Sequence, residues 1–163
     1  MKKLTLIGLL IWSCLTGWSG QDPLYTQFMT NPYLTNPALT GTYPYYQIIA
    51  NNRVQWLGMA DAPITNTLSM YGPFKSQPMG VGGFIMSDIF GPESKLNINA
   101  TYAYNYAIGE DLKISMGLLL GLMQYKIDDS QLRSEGFDPV LANPLESQIK
   151  ADGSVGVYLY SST

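Results

Sequence analysis

The chain offers little with which to do chemistry. It has no histidine and a single cysteine, Cys14. A serine nucleophile needs a nearby base to take its proton, and a cysteine nucleophile needs a partner that holds it as thiolate. With no histidine, and no cysteine downstream of residue 14, the commonest hydrolase arrangements are removed. Adjacent acids occur at Glu110-Asp111 and Asp128-Asp129. Both pairs lie in polar connections, where solvated surface is expected; calcium binding is the alternative, but no loop has the oxygen spacing of a Ca²⁺ site. Gly80-Val81-Gly82-Gly83 matches no phosphate-binding fingerprint and is expected to serve strand packing. No catalytic residue, metal ligand or cofactor-binding residue is therefore expected.

Candidate structural or partner contacts can still be named. Arg53 shares a parity with Gln47, Asn51 and Gln55, facing away from the apolar side of its strand. A buried guanidinium needs carboxylate partners, and Asp61 and Asp88 are the candidates. One reading is an ion pair that stiffens a wall; the other is direct contact with a partner or substrate. Trp56 falls on the apolar parity near a strand end, where an interfacial anchor is expected. Asn36-Pro37-Ala38 reads either as a turn plugging one barrel mouth or as a docking point for a periplasmic partner.

These residues depend on strands to place them. Lys95 to Ile108 alternates without a break: Leu96, Ile98, Ala100, Tyr102, Tyr104, Tyr106 and Ile108 against polar or small residues. Period-2 alternation gives a strand with one greasy and one wet face. It is longer than the ~5–6 residues usual in soluble domains and long enough for a tilted membrane strand of ~9–11. The tyrosines suit a headgroup layer on the periplasmic side, next to the tight turn at Gly109–Asp111. Similar alternation appears at 46–56, 64–70, 112–123 and 155–160, and the Gly-rich stretch 79–87, with Val81, Phe84 and Ile85, reads as a further strand. Leu112 to Met123 could also be read as a helix, but Gly117, Gly121 and the parity favour a strand. Asp88 to Ser94 and Asp128 to Ala151 read as loops. The expectation is an all-β, antiparallel up-and-down meander of about six long strands, part of a transmembrane outer-membrane β-barrel. A single-chain bacterial barrel has at least 8 strands. The chain is then the front part of a larger barrel, a barrel completed by another chain, or a soluble exported β-sheet binding module.

Three segments follow from composition. Residues 1–20 join Lys2-Lys3, an apolar run and the small residues Gly17, Ser19 and Gly20, which is the layout of a signal peptide cleaved after Ser19 or Gly20. Residues 21–44 hold four of the ten prolines and several large apolar side chains. They read as an irregular Pro-rich arm that packs against something, with a short helical turn around Tyr25–Met29. Residues 45–163 form the partial barrel. Charged residues make up only 13% of the chain, against about 25% in average domains. Losing Lys2 and Lys3 with the leader leaves seven basic and twelve acidic residues, a net charge of −5. An acidic chain without a basic stripe is a poor nucleic-acid binder.

The landmarks also resemble a known family. Gln21-Asp22-Pro23, Tyr25-Thr26-Gln27-Phe28-Met29 and Asn36-Pro37-Ala38 with Gly41 are similar to the opening of the PorP/SprF family of the type IX secretion system. Asn52-Arg53-Val54-Gln55-Trp56 resembles its Arg-x-Gln-Trp signature. Ala62-Pro63 with Thr65, Gly80-Val81-Gly82-Gly83, Asp88 with Gly91, Tyr102-Ala103-Tyr104 and Leu112 to Leu118 follow in the family's order. The resemblance implies a non-enzymatic outer-membrane β-barrel in Bacteroidota, acting in protein export or gliding motility. Its implied partners are outer-membrane lipid, other type IX components and a secreted adhesin. Family members are longer than this chain, so a fragment of a longer barrel is the expectation.

Overall fold

A computed structural model describes residues 29–59, 61–74, 77–109, 111–127 and 148–161. The expected leader, Cys14, residues 21–28 of the arm, Glu110 and the acid pair Asp128-Asp129 lie outside the described residues.

The described chain is all β, apart from two short 3-10 turns at Pro32–Leu34 and Pro37–Leu39. Six strands follow: β1 (Gln47–Val54), β2 (Ile64–Pro73), β3 (Met79–Phe90), β4 (Glu93–Ala107), β5 (Leu112–Ile127) and β6 (Gln148–Ser161). They form one antiparallel sheet in chain order. β1 and β6 each have one neighbour, and the sheet is not closed. Residues 112–123 are strand, as their parity indicates.

Two connections differ from expectation. The loop expected over Asp88 to Ser94 is a tight turn at Gly91-Pro92, with β3 running on to Phe90 and β4 starting at Glu93. Gly91 supplies the positive φ (54°) that such a turn needs. The polar side chains there suggest a loop, but they are strand residues: Asp88 and Glu93 lie on the wet face and Ser94 on the apolar one. β6 likewise begins at Gln148, inside the expected connection. Its first residues alternate Ile149 and Ala151 with Lys150 and Asp152, and small polar content masks the pattern.

Every strand divides its side chains between two faces. One face carries Ile48, Leu68, Met70, Ile85, Ile98, Leu118, Leu120, Leu122, Val155 and Val157, all exposed; Leu120 is 62% and Val155 77% accessible. The other face carries Thr67, Ser69, Asn99, Thr101, Ala103, Asn105, Ser115 and Leu119, all buried. The arm, residues 29–46, lies across this second face. The core sits between them: Tyr33 of the arm packs with Tyr71, Phe84, Met86 and Leu119 of the sheet. This inverts the usual arrangement, in which the larger apolar surface is the buried one.

Candidate functional site

The arm follows a path set by residue size. Cross-strand registers place Gly80 beside Ala103, Ala103 beside Gly117 and Gly117 beside Gly156. Four neighbouring strands thus present glycine or alanine on a single rung of the covered face. The rung forms a trench running perpendicular to the strands. Arm residues cross it in order. Asn36 lies over Gly156, Pro37-Ala38 over Gly117, and Thr40-Gly41 over Gly80. A Cβ at Gly117 would overlap the Pro37 carbonyl carbon and the Ala38 nitrogen; one at Gly156 would overlap Asn36 Oδ1. The arm's main chain therefore touches the sheet's main chain, which only glycine allows.

Side chains on both sides of the trench fix the arm. Asn36 Nδ2 donates to the Val157 carbonyl (3.2 Å), and Asn36 Oδ1 caps Ala38 N (3.0 Å). Asn105 Nδ2 donates to the Gly41 carbonyl (3.2 Å) and Tyr160 OH donates to Asn105 Oδ1 (3.3 Å). Asn31 Nδ2 donates to Ser69 Oγ (2.8 Å). Thr101 Oγ1 meets both Tyr33 OH (2.6 Å) and Thr40 Oγ1 (3.3 Å). Tyr33 is the anchor: it is fully buried, stacked on Tyr71 at 4.2 Å and set edge-on to Phe84 at 6.0 Å. Burial pushes its phenol up to about 12, although the hydrogen bond with Thr101 acts the other way. Two buried polar atoms have no hydrogen-bond partner among the described residues near the arm: Asn31 Oδ1 and Ser115 Oγ.

The opposite end of the covered face is charged. Arg53 lies beside Thr65, Thr65 beside Asp88, Asp88 beside Lys95 and Lys95 beside Tyr125. One rung across five strands therefore reads cation, hydroxyl, anion, cation, aromatic. Thr65 Oγ1 donates to Asp88 Oδ1 (2.7 Å), and Lys95 Nζ stands 5.7 Å from the Tyr125 ring centre. Arg53, Gln55, Thr65, Asp88, Glu93 and Lys95 line a pocket of about 340 Å³.

The residues singled out in the sequence are thus scattered. Arg53, Gln55 and Asp88 share the charged pocket. Asp61 does not line it; it sits exposed in the β1–β2 connection at φ 59°. Trp56, also exposed, sets its ring edge-on to Phe90 at 6.2 Å. Asn36 and Pro37 lie at the other end, against β5 and β6. Sequence reasoning does not mark Tyr33, Asn31, Ser115 or the glycine rung as a site. Part of the signal for the rung is present, since Gly117 and Gly156 fall on the parity opposite the exposed aliphatic residues of their strands, whereas Gly80 shares its parity with Phe84 and Met86.

The arrangement holds a segment of polypeptide against the sheet. Among the described residues no three of His, Cys, Asp or Glu gather as a metal site would require. The chain matches the family model for the type IX secretion system membrane protein PorP/SprF over residues 18–163. No curated protein matches it, and no solved structure does.

Proposed function

From its membership of the PorP/SprF family, a family of type IX secretion system membrane proteins, we propose that this chain is a section of β-barrel wall in the outer membrane. It takes no catalytic part in protein export or gliding motility. Its exposed apolar face meets lipid, its covered face lines the lumen, and residues 1–20 export it as a signal peptide. Its partners are the other type IX components and a secreted adhesin.

One observation carries this reading. The large aliphatic side chains of β2 to β6 stand exposed on one face, while threonine, serine and asparagine are buried on the other. Hydrocarbon tolerates that exposure and water does not. Tyr102, Tyr104 and Tyr106 are exposed at the β4 end, where aromatic side chains suit a membrane–water boundary. The covered face, with Arg53, Asp88 and Lys95 at one end, suits a lumen.

Fractionation tests the proposal. The chain, expressed in a cell with its own secretion machinery, should co-sediment with outer membranes and resist extraction at high salt and alkaline pH. Recovery in the soluble periplasmic or secreted fraction would instead support an exported soluble β-sheet module. Deleting the gene should then reduce secretion of a type IX cargo without altering any enzymatic activity of the membrane fraction.

A further inference from the structure

We infer that the exposed face of β1 to β3 is a contact surface for a second copy of this chain, centred on the paired amides of Asn52 and Asn66. The two residues are cross-strand partners, both exposed on the aliphatic face, and Asn52 Nδ2 donates to Asn66 Oδ1. Ser87 adds a hydroxyl on the same rung. Aliphatic rungs flank this polar patch on both sides. Ala50, Leu68 and Ile85 form the rung before it; Val54, Ile64 and Ile89 form the rung after it. Trp56 follows on the β1 side. On β5, by contrast, the exposed residues pass from Leu122 to Gln124 and Lys126 and the apolar surface ends. A headgroup boundary would end the apolar surface on β1 to β3 in the same way, whereas here the surface resumes.

A polar side chain on a lipid-facing wall is costly unless its groups are paired. The bond between the two amides meets part of that need. It consumes one Asn52 hydrogen and the Asn66 oxygen. An acceptor, Asn52 Oδ1, is then left beside a donor, Asn66 Nδ2. Hydrocarbon offers neither partner. A second copy offers both. Donor and acceptor stand side by side on neighbouring strands, so a half-turn about an axis between those strands brings Asn66 Nδ2 of each copy to Asn52 Oδ1 of the other. The contact is isologous, and one symmetry operation satisfies both amides. An unrelated wall would have to carry a matching pair at the same spacing; a copy carries it already. Side-chain hydrogen bonds of this kind hold transmembrane segments together, and a small residue such as Ala50 beside them lets the two walls approach closely. The inference rests on the lipid-facing reading proposed above.

The experiment uses the full chain with Cys14 changed to serine, so that an introduced cysteine is the only one. N52C and N66C are expressed in two distinguishably tagged copies, and membranes are treated with a membrane-permeable oxidant. Because position 52 of one copy meets position 66 of the other, the mixture of N52C with N66C should give more disulfide-linked dimer than either variant alone. Separately, dye-labelled chains in lipid bilayers should self-associate, and N52L/N66L should weaken that association about tenfold, the loss of two membrane hydrogen bonds. Equal linkage in all three pairings would overturn the inference, as would association that the leucine variant leaves unchanged. The cysteine pairings decide the question alone if the leucine variant does not insert. Insertion is read first, by co-sedimentation with membranes. A chain that inserts but stays monomeric overturns this inference and leaves the lipid-facing reading standing; a chain recovered in the soluble fraction overturns both.

Discussion

The two faces of the sheet are made by the same strands yet obey opposite rules. On the bare face most side chains are large, apolar and exposed; little within the chain selects their shapes, only their apolarity. On the covered face they are small, hydrogen-bonded or packed into the core beneath the arm, and most positions have a neighbour that fixes them. Gly117 cannot be anything larger without moving Pro37, whereas Leu120, three residues on, could be many things provided that it is apolar. The first face is matched to a solvent and the second to a segment of chain. Substitutions should therefore be judged by size on one face and by polarity on the other.

The contrast can be broken at its strongest point by Tyr33→Ala. Removing a fully buried aromatic ring should cost about 3–5 kcal/mol, read as a shift in the urea midpoint of the chain refolded in detergent. A loss below about 1 kcal/mol would mean that the arm contributes little to the fold. Leu120→Arg tests the other face. It should cost about 2–4 kcal/mol when the chain folds into a bilayer, and much less in a water-soluble setting, because only hydrocarbon penalises the charge. An equal cost in both would remove the lipid from the explanation. Asp88→Ala sharpens the charged end of the covered face. It strips the acceptor from Thr65 and leaves Arg53 and Lys95 on a rung without its central anion, at a cost of about 1–3 kcal/mol.

Alkali should loosen the arm without any mutation. Tyr33 in the folded chain is raised to about 12 from an ordinary value of 10.0. Below pH 10 both folded and unfolded chains keep the proton, so stability does not change. Between pH 10 and 12 the unfolded chain loses it first, and stability falls as pH rises. Tyrosinate absorbance followed alongside the urea midpoint should show this window, and Tyr33→Phe should abolish Tyr33's share of it. The smallest effect belongs to Ser115→Ala, which removes a hydroxyl that has no partner among the described residues. Its cost should be near zero or slightly favourable, by about 0.5 kcal/mol or less; a large loss would mean that Ser115 is satisfied by something bound there.

Much of this contrast is legible in the sequence, because parity along a strand is a local property. Residues 95–108 announce their two faces without reference to any other segment. The same logic puts Arg53 and Gln55 on the inner side, where the pocket joins them to Asp88, a residue that reads as loop. What cannot be read is anything set by register between strands. Gly80, Gly117 and Gly156 are far apart in the chain, and only the pairings bring them onto one rung. The arm's route is hidden for the same reason. Its apolar content implies that it packs, but nothing local to residues 29–46 says that Tyr33 stacks on Tyr71 or that Asn36 reaches Val157. Gly91-Pro92 reads as the middle of a long loop because Asp88, Glu93 and Ser94 are polar. On a wet face, polarity does not distinguish strand from loop.

The five pairings run without a single bulge, each register advancing one residue against one from end to end. Facing is therefore a binary quantity passed intact from strand to strand. A point mutation edits one side chain, but deleting a single residue inside β4, such as Asn99, reverses the facing of everything beyond it in that strand. The tyrosines would turn inward, and Thr101, Ala103 and Asn105 would turn out. Tolerance of length change is confined to the connections, where one extra residue can be absorbed before the next strand begins. In this fold the count of residues within a strand is held more tightly than the identity of most of them.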